Sequence, residues 1–279
     1  MKKVLVALMA LMMMVSLVAC GGAGSDGSAA GSAGSGDSDS YIDQIKAKGE
    51  LVVGTSADYP PYEFHTEIDG VDTIVGFDIA IAQAIADDLG VELKIVDMSF
   101  DNLLMSLANG EFDMVIAGLS ASEERMKTND FSDTYLESKN LILVRKEDEN
   151  KYTTTDSLKG VKTGAQTGTM CYDRIVPFVG EESMVGLAKV PDLVMELKDG
   201  KLDVITLDYM AVLTYAAEND DLVAVDCGIP SDDEGYSIAF QKGNTEMVEY
   251  VNGVLAKLKE DNAIEQYIIE AQELAGTEE

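Results

Sequence analysis

Short apolar runs alternate with amphipathic stretches from about residue 51 to residue 274, and the alternation predicts strands and helices in turn. Leu51–Gly54 is apolar and too short for a helix, so it reads as a strand. It runs into Thr55–Tyr62, where Pro60 and Pro61 impose an extended or turn geometry. Phe77, Ile81, Ala84, Ile85 and Leu89 then recur at helical spacing, with Asp78 suited to the first turn and Gly90 to the stop. Val91–Val96 is the next strand. Asp101–Asn109 is a short helix that turns Leu103, Leu104 and Leu107 inward. Phe112–Ala117, bounded by Gly110 and Gly118, is a buried strand. Strands separated by helices predict a parallel α/β sheet whose ligands sit beyond the strand C-termini. Tyr59, Phe100, Gly118 and Ser120 all fall at such ends.

The pattern restarts at Leu141–Val144, continues with a strand at Val161–Gln166, and opens another helix at Thr167–Met170. Leu107-Ala-Asn-Gly-Glu-Phe-Asp113 is echoed by Leu197-Lys-Asp-Gly-Lys-Leu-Asp203, each a helix end, a glycine and a strand start. Five residues past each aspartate stand Gly118 and Asp208. Two similar halves presenting residues at the same strand end imply a cleft between them. Tyr236–Phe240 is a late strand, followed by helices at Thr245–Lys259 and Ala263–Leu274. The chain is expected to cross between halves near Tyr135–Asn140 and to return near Gly228–Gly235.

The segment Gly118–Arg125 carries the sharpest candidate chemistry. Ser122 is a good N-cap, and Glu123 and Glu124 suit the positive end of a helix dipole. Arg125 does not suit that end, unless an anion is held beside it in the planar fork of the guanidinium. The alternative is a surface ion pair with Glu124 or Asp130.

Composition and the N-terminus restrict the class. Lys2 and Lys3 precede an apolar run, Val4–Val18, and then Leu17-Val18-Ala19-Cys20, the pattern of a secretory signal with a lipobox cysteine. Residues 1–19 are read as the signal, and residues 20–40, rich in Gly, Ser, Ala and Asp, as a flexible tether to a lipid anchor on Cys20. The formal net charge of −31 argues against nucleic acid. Cys171 and Cys227 could pair outside the cytoplasm or stand as buried thiols. The single histidine, His65, reads as a surface residue at a strand end. No Cys/His cluster has metal-ligand spacing, so no metal, cofactor or catalytic residue is expected.

The stretches GTSADYPPYEF, GFDIAIAQAIADDLG, FDNLLMSLANGEFDMVIAGLSASEERMKTNDFSDTYL, GAQTGT and LDVITLDY, in this order, resemble the extracytoplasmic solute-binding lipoproteins of polar amino-acid ABC importers. The resemblance implies two α/β lobes joined by two hinge strands, with lobe 1 formed by residues 41–136 and 234–279 and lobe 2 by residues 137–233. It places the carboxylate-binding arginine on Arg125 with Ser120 assisting, and a carbonyl for the ligand ammonium on Gly118. The sandwiching aromatics fall on Tyr59 and Phe100, the lobe 2 backbone donors on Thr169 and Met170, and the ammonium's aspartate on Asp208. Ser56 stands where several members carry an aspartate, and Met170 where a threonine is common. Ser56, Gln166, Met170 and Asp58 are the positions expected to face the ligand side chain. Arg125 is the one cation among the matched positions, which favours a polar or basic amino acid over a dicarboxylic one. The implied partners are a free amino acid and the permease subunits of an ABC transporter, with the membrane reached through the lipid anchor alone. The expected chain is a monomer at the outer face of the cell membrane. An amino-acid-sensing module and a dehydratase-like enzyme on the same fold are the alternatives.

Overall fold

The computed structural model describes residues 40–230 and 235–276. The expected signal segment, Cys20 and nearly all of the tether lie outside those residues, as do 231–234 and 277–279.

The chain begins with α1 (Tyr41–Lys48), β1 (Glu50–Thr55) and β2 (Asp58–Tyr59). A hairpin follows, β3 (Glu63–Ile68) and β4 (Val71–Val75), before α2 (Phe77–Leu89), β5 (Glu92–Asp97), α3 (Leu103–Ala108), β6 (Met114–Val115) and β7 (Asn129–Phe131). The second half runs β8 (Asn140–Arg145), β9 (Thr163–Gln166), α4 (Met170–Val179), β10 (Met184–Leu187), α5 (Val190–Lys198), β11 (Val204–Asp208), α6 (Tyr209–Glu218) and β12 (Leu222–Val225). The described chain closes with β13 (Ala239–Gln241), α7 (Thr245–Glu260) and α8 (Ala263–Ala275).

Two five-stranded sheets carry the two lobes, in the orders β5-β1-β6-β13-β7 and β10-β9-β11-β8-β12. β1 is parallel to β5 and β6, and β9 is parallel to β10 and β11. The strands next to the crossings run the other way: β13 is antiparallel to β6 and β7, and β8 to β11 and β12. Each sheet is therefore mixed, with a parallel half that aims its C-terminal ends at the space between lobes.

Helices cover both faces of both sheets. Phe77, Ile81 and Ile85 of α2 join Met247 and Val251 of α7 and Ile264 of α8 over one face of the first sheet. Leu103 and Leu107 of α3 close the other with Phe112. In the second lobe Leu193 and Leu197 of α5 and Ala211, Val212 and Tyr215 of α6 pack on one face, and Ile175 and Val179 of α4 on the other. These side chains lie at helical spacing, so burying one stripe per helix builds each core.

The two crossing segments touch. Tyr135 N–H donates to the Tyr236 carbonyl at 2.8 Å, and Tyr236 N–H donates to that of Leu136 at 2.7 Å. This fixes the lobes to a common hinge. Cys171 and Cys227 are both buried free thiols.

Three local expectations change. The helix expected from Ser122 is a single 3-10 turn, Arg125–Lys127. Ser122 Oγ still accepts from the Arg125 N–H at 3.3 Å, but β13 claims Asn129–Phe131 and leaves too little chain for a helix. The strand at Phe112–Ala117 forms a regular ladder only at Met114–Val115, although Asp113 and Ile116 N–H groups extend its pairing with β1. The β3–β4 hairpin was not apparent in the apolar pattern because its outer face is polar. Asp69 and Gly70, with φ of 53° and 79°, form its tip, a turn signal that could have found it. His65 lies within β3 of this hairpin.

Candidate functional site

A cavity opens between the C-terminal ends of the parallel strands of the two sheets. Tyr59, Phe100, Gly118, Ser120 and Arg125 line it from the first lobe, and Gln166, Thr169 and Met170 from the second. The structure thus brings eight of the eleven sequence-derived positions to one space. Ala117, Glu63, Ser138, Cys171, Arg174 and Tyr236 line it as well.

Arg125 is held where its fork crosses the mouth. Nη1 donates to the Ser120 carbonyl at 2.6 Å, and Nη2 crosses to the Gly168 carbonyl of the second lobe at 2.8 Å. The Phe100 ring lies beneath, 5.6 Å from the guanidinium carbon, and favours the cation. Gly118 sits at φ 51°, a left-handed conformation that turns the chain sharply after β6. Its N–H is fixed by Asp78 Oδ2 at 2.8 Å.

From the second lobe the cavity receives the N-terminus of α4. Thr169 is its N-cap, accepting from the Tyr172 N–H at 3.3 Å, and Met170 is the first helical residue. First-turn N–H groups lack intrahelical partners and suit a carboxylate. Gln166 ends β9 with its amide donating to Asp58 Oδ1 at 3.2 Å and the Ala188 carbonyl at 3.0 Å, so its side chain joins the lobes as well as lining the cavity.

Three expected site residues do not line the cavity: Asp58, whose carboxylate accepts from Gln166, and Ser56 and Asp208. Ser56 is buried behind it, with no partner for its hydroxyl. Asp208 is fully buried and caps α6 through the Met210 N–H at 3.0 Å. Its carboxylate also accepts from the Tyr62 hydroxyl and from the Lys139 N–H at 3.2 Å, while the Tyr59 hydroxyl accepts from the Asp208 N–H at 2.7 Å. These contacts draw the carboxylate away from the cavity into a network spanning both lobes. Burial pushes its pKa up, while the hydrogen bonds from Tyr62 and Met210 oppose that shift.

The sequence reading passed over two charged residues on the cavity wall. Arg174 donates from Nη1 to Asn140 Oδ1 at 3.0 Å and to Ser138 Oγ at 3.4 Å. It is a second cation, so the count of one cation in the cleft does not hold. Glu63 is 1 % exposed, at the start of β3. Burial pushes its carboxyl well above the usual range, and the neighbouring Asp78 adds to the shift. The helical spacing from Met170 to Arg174 was a usable signal for the first, because residues four apart share a face. Nothing local in the sequence singles out Glu63. Burial also pushes the Cys171 thiol up to about 12, away from nucleophilic chemistry.

The description "Bacterial extracellular solute-binding proteins, family 3" matches residues 51–270. The arginine-binding extracellular protein ArtP of Bacillus subtilis is 32% identical over 223 residues, covering 78% of this chain and 84% of that protein. The L-cystine-binding protein TcyJ of Escherichia coli is 32% identical over 224 residues, covering 80% and 83%. A solved amino acid ABC transporter substrate-binding protein from Streptococcus pneumoniae, bound to L-arginine, superposes with a TM-score of 0.82 at 39% identity, covering 84% of this chain and 98% of that one.

Proposed function

The chain belongs to the bacterial extracellular solute-binding proteins, family 3, and on that premise we propose that it captures an α-amino acid with a polar or cationic side chain, arginine foremost, and delivers it to an ABC importer. The observation that carries this reading is a guanidinium and a buried acid on the wall of one small cavity. Arg125 supplies a guanidinium beside the Ser120 position and the α4 N-terminus, which suits an α-carboxylate. Glu63 supplies a buried acid that suits a cationic side chain. Tyr59 and Phe100 provide apolar walls for the carbon chain. The α-ammonium is left to the Gly118 carbonyl and to Asp208, which reaches it when the Tyr62 hydroxyl yields its place on the carboxylate. Because Arg174 is present, the preference for a cation rests on Glu63 and not on a shortage of arginines. The arginine-binding relative and the arginine-bound neighbour support the same ligand class.

Binding, not turnover, is the activity this geometry supports. The lobes, residues 41–136 with 234–279 and residues 137–233, act as bodies that close on the ligand, since Arg125 and Gln166 join them only across the cavity. A thermal-shift panel of the twenty amino acids and cystine tests the reading by mass action. Arginine or another basic or polar amino acid should give the largest rise in Tm; the largest rise with glutamate or aspartate overturns the ligand class. We also propose that the mature protein acts as a monomer lipidated on Cys20. Cys20→Ala should release it from membranes, whereas unchanged retention of a correctly cut product refutes the anchor.

A further inference from the structure

We propose that Asp58, which does not line the cavity, is a specificity-determining residue that acts by orienting Gln166, which does; this rests on the proposed ligand class. Gln166 ends β9 and is 3 % exposed. Its amide nitrogen donates to Asp58 Oδ1 at 3.2 Å and to the Ala188 carbonyl at 3.0 Å. A carboxamide has two N–H donors and one acceptor oxygen, so both donors are spent on the protein. A carbonyl can only accept, so the Ala188 contact by itself decides which end of the amide is nitrogen. What Gln166 keeps for a ligand in the cavity is Oε1, an acceptor.

That orientation is held from both lobes. Ala188 follows β10 in the second lobe, and Asp58 lies in β2 of the first, paired with Phe64 of β3. The Tyr215 hydroxyl of α6 donates to the Asp58 carbonyl at 3.1 Å. Lys189 Nζ stands 3.4 Å from Asp58 Oδ2, which leaves Oδ1 to Gln166. Turning the amide over would set its oxygen against the Ala188 carbonyl and the Asp58 carboxylate and break both hydrogen bonds at once. Buried acceptors facing one another are costly, so the amide does not adapt to the ligand. A side chain that donates to Oε1 leaves both bonds in place. One that can only accept must forgo the contact, or turn the amide over and release Asp58 across the lobe boundary. The discrimination thus works against the wrong side chain as well as for the right one. A guanidinium, with five N–H donors and no acceptor, is the limiting member of the favoured class.

L-glutamine and L-methionine sulfoxide separate the two cases. Their side chains are uncharged and nearly the same shape, and the second carries a methyl group where the first carries its N–H donors. Displacement of bound L-arginine from the full chain gives both affinities. The wild type should prefer glutamine by about thirtyfold or more. Asp58→Ala should lower that ratio about fivefold or more, because turning the amide over then breaks one hydrogen bond instead of two. Gln166→Met should bring the ratio to within about threefold of unity, which keeps the inference open to refutation if Asp58→Ala does not fold. Lys189→Ala should leave the ratio unchanged. If Asp58 only helped to hold the lobes closed, Asp58→Ala would weaken both ligands alike and the ratio would stay where it was; that result overturns the inference. So does a wild type that takes up the pair equally, the sulfoxide then meeting Arg174 instead, or one that takes up neither. In each of these cases the ligand class stands as long as arginine binds. Failure of arginine to bind the wild-type chain overturns both.

Discussion

The two lobes repeat one strand plan and place different chemistry at its end. In the first, Asp113 precedes β6 and anchors the sheet through the Val52 N–H at 2.7 Å and the Tyr41 hydroxyl at 3.0 Å. In the second, Asp203 precedes β11 and meets Arg145 at 3.3 Å. Five residues on, the first lobe has Gly118, bent to φ 51° with Arg125 just beyond, and the second has Asp208, turned back to cap α6. The first lobe thus lines the cavity with Arg125 and Glu63, and the second with the start of α4 and the buried Arg174. Asp208 instead joins the lobes. Equivalent positions in a repeated plan do not carry equivalent roles once the neighbouring helix begins at a different residue.

Breaking the first lobe's contribution should have the largest effect on binding. Arg125→Ala removes the proposed partner of the α-carboxylate and its link to Gly168, and should weaken arginine binding by about 2–5 kcal/mol with little change in Tm, measured by calorimetry and thermal melting. Asp208→Ala should behave differently. It strands the Tyr62 hydroxyl and the Met210 and Lys139 N–H groups, so it should lower stability by about 1–3 kcal/mol as well as weakening binding. The buried network around Asp208 sets the two variants apart, and equal Tm losses in both would contradict that difference.

A smaller effect is expected at the rim. Lys189 meets Asp58 at 3.4 Å, joining the lobes outside the cavity, and is partly exposed. Lys189→Ala should weaken binding by about 0–1 kcal/mol, because exposed pairs contribute little. A loss as large as that of Arg125→Ala would move the control of closure from the cavity to the rim.

Much of this arrangement was legible in the sequence. The spacing of Phe77, Ile81 and Ile85 gave α2, and the Leu107–Asp113 and Leu197–Asp203 echo pointed to two lobes. The motif positions Tyr59, Phe100, Gly118, Ser120, Arg125, Gln166, Thr169 and Met170 converge on one cavity. What remained hidden depends on contacts between distant segments. Glu63 follows Tyr62 as an ordinary polar strand start until α2 brings Asp78 against it. Asp208 stands at the predicted strand end, but its direction is set by Tyr62 and Lys139, far from it in sequence.

The most direct test is a calorimetric titration of L-arginine into the wild-type chain, Arg125→Ala and Glu63→Gln. The account predicts one-to-one binding by the wild type, a loss of about thirtyfold or more in Arg125→Ala, and a loss of about tenfold or more in Glu63→Gln. Absence of wild-type binding, or unchanged affinity in either variant, would contradict the claim that Arg125 and Glu63 hold opposite ends of one ligand.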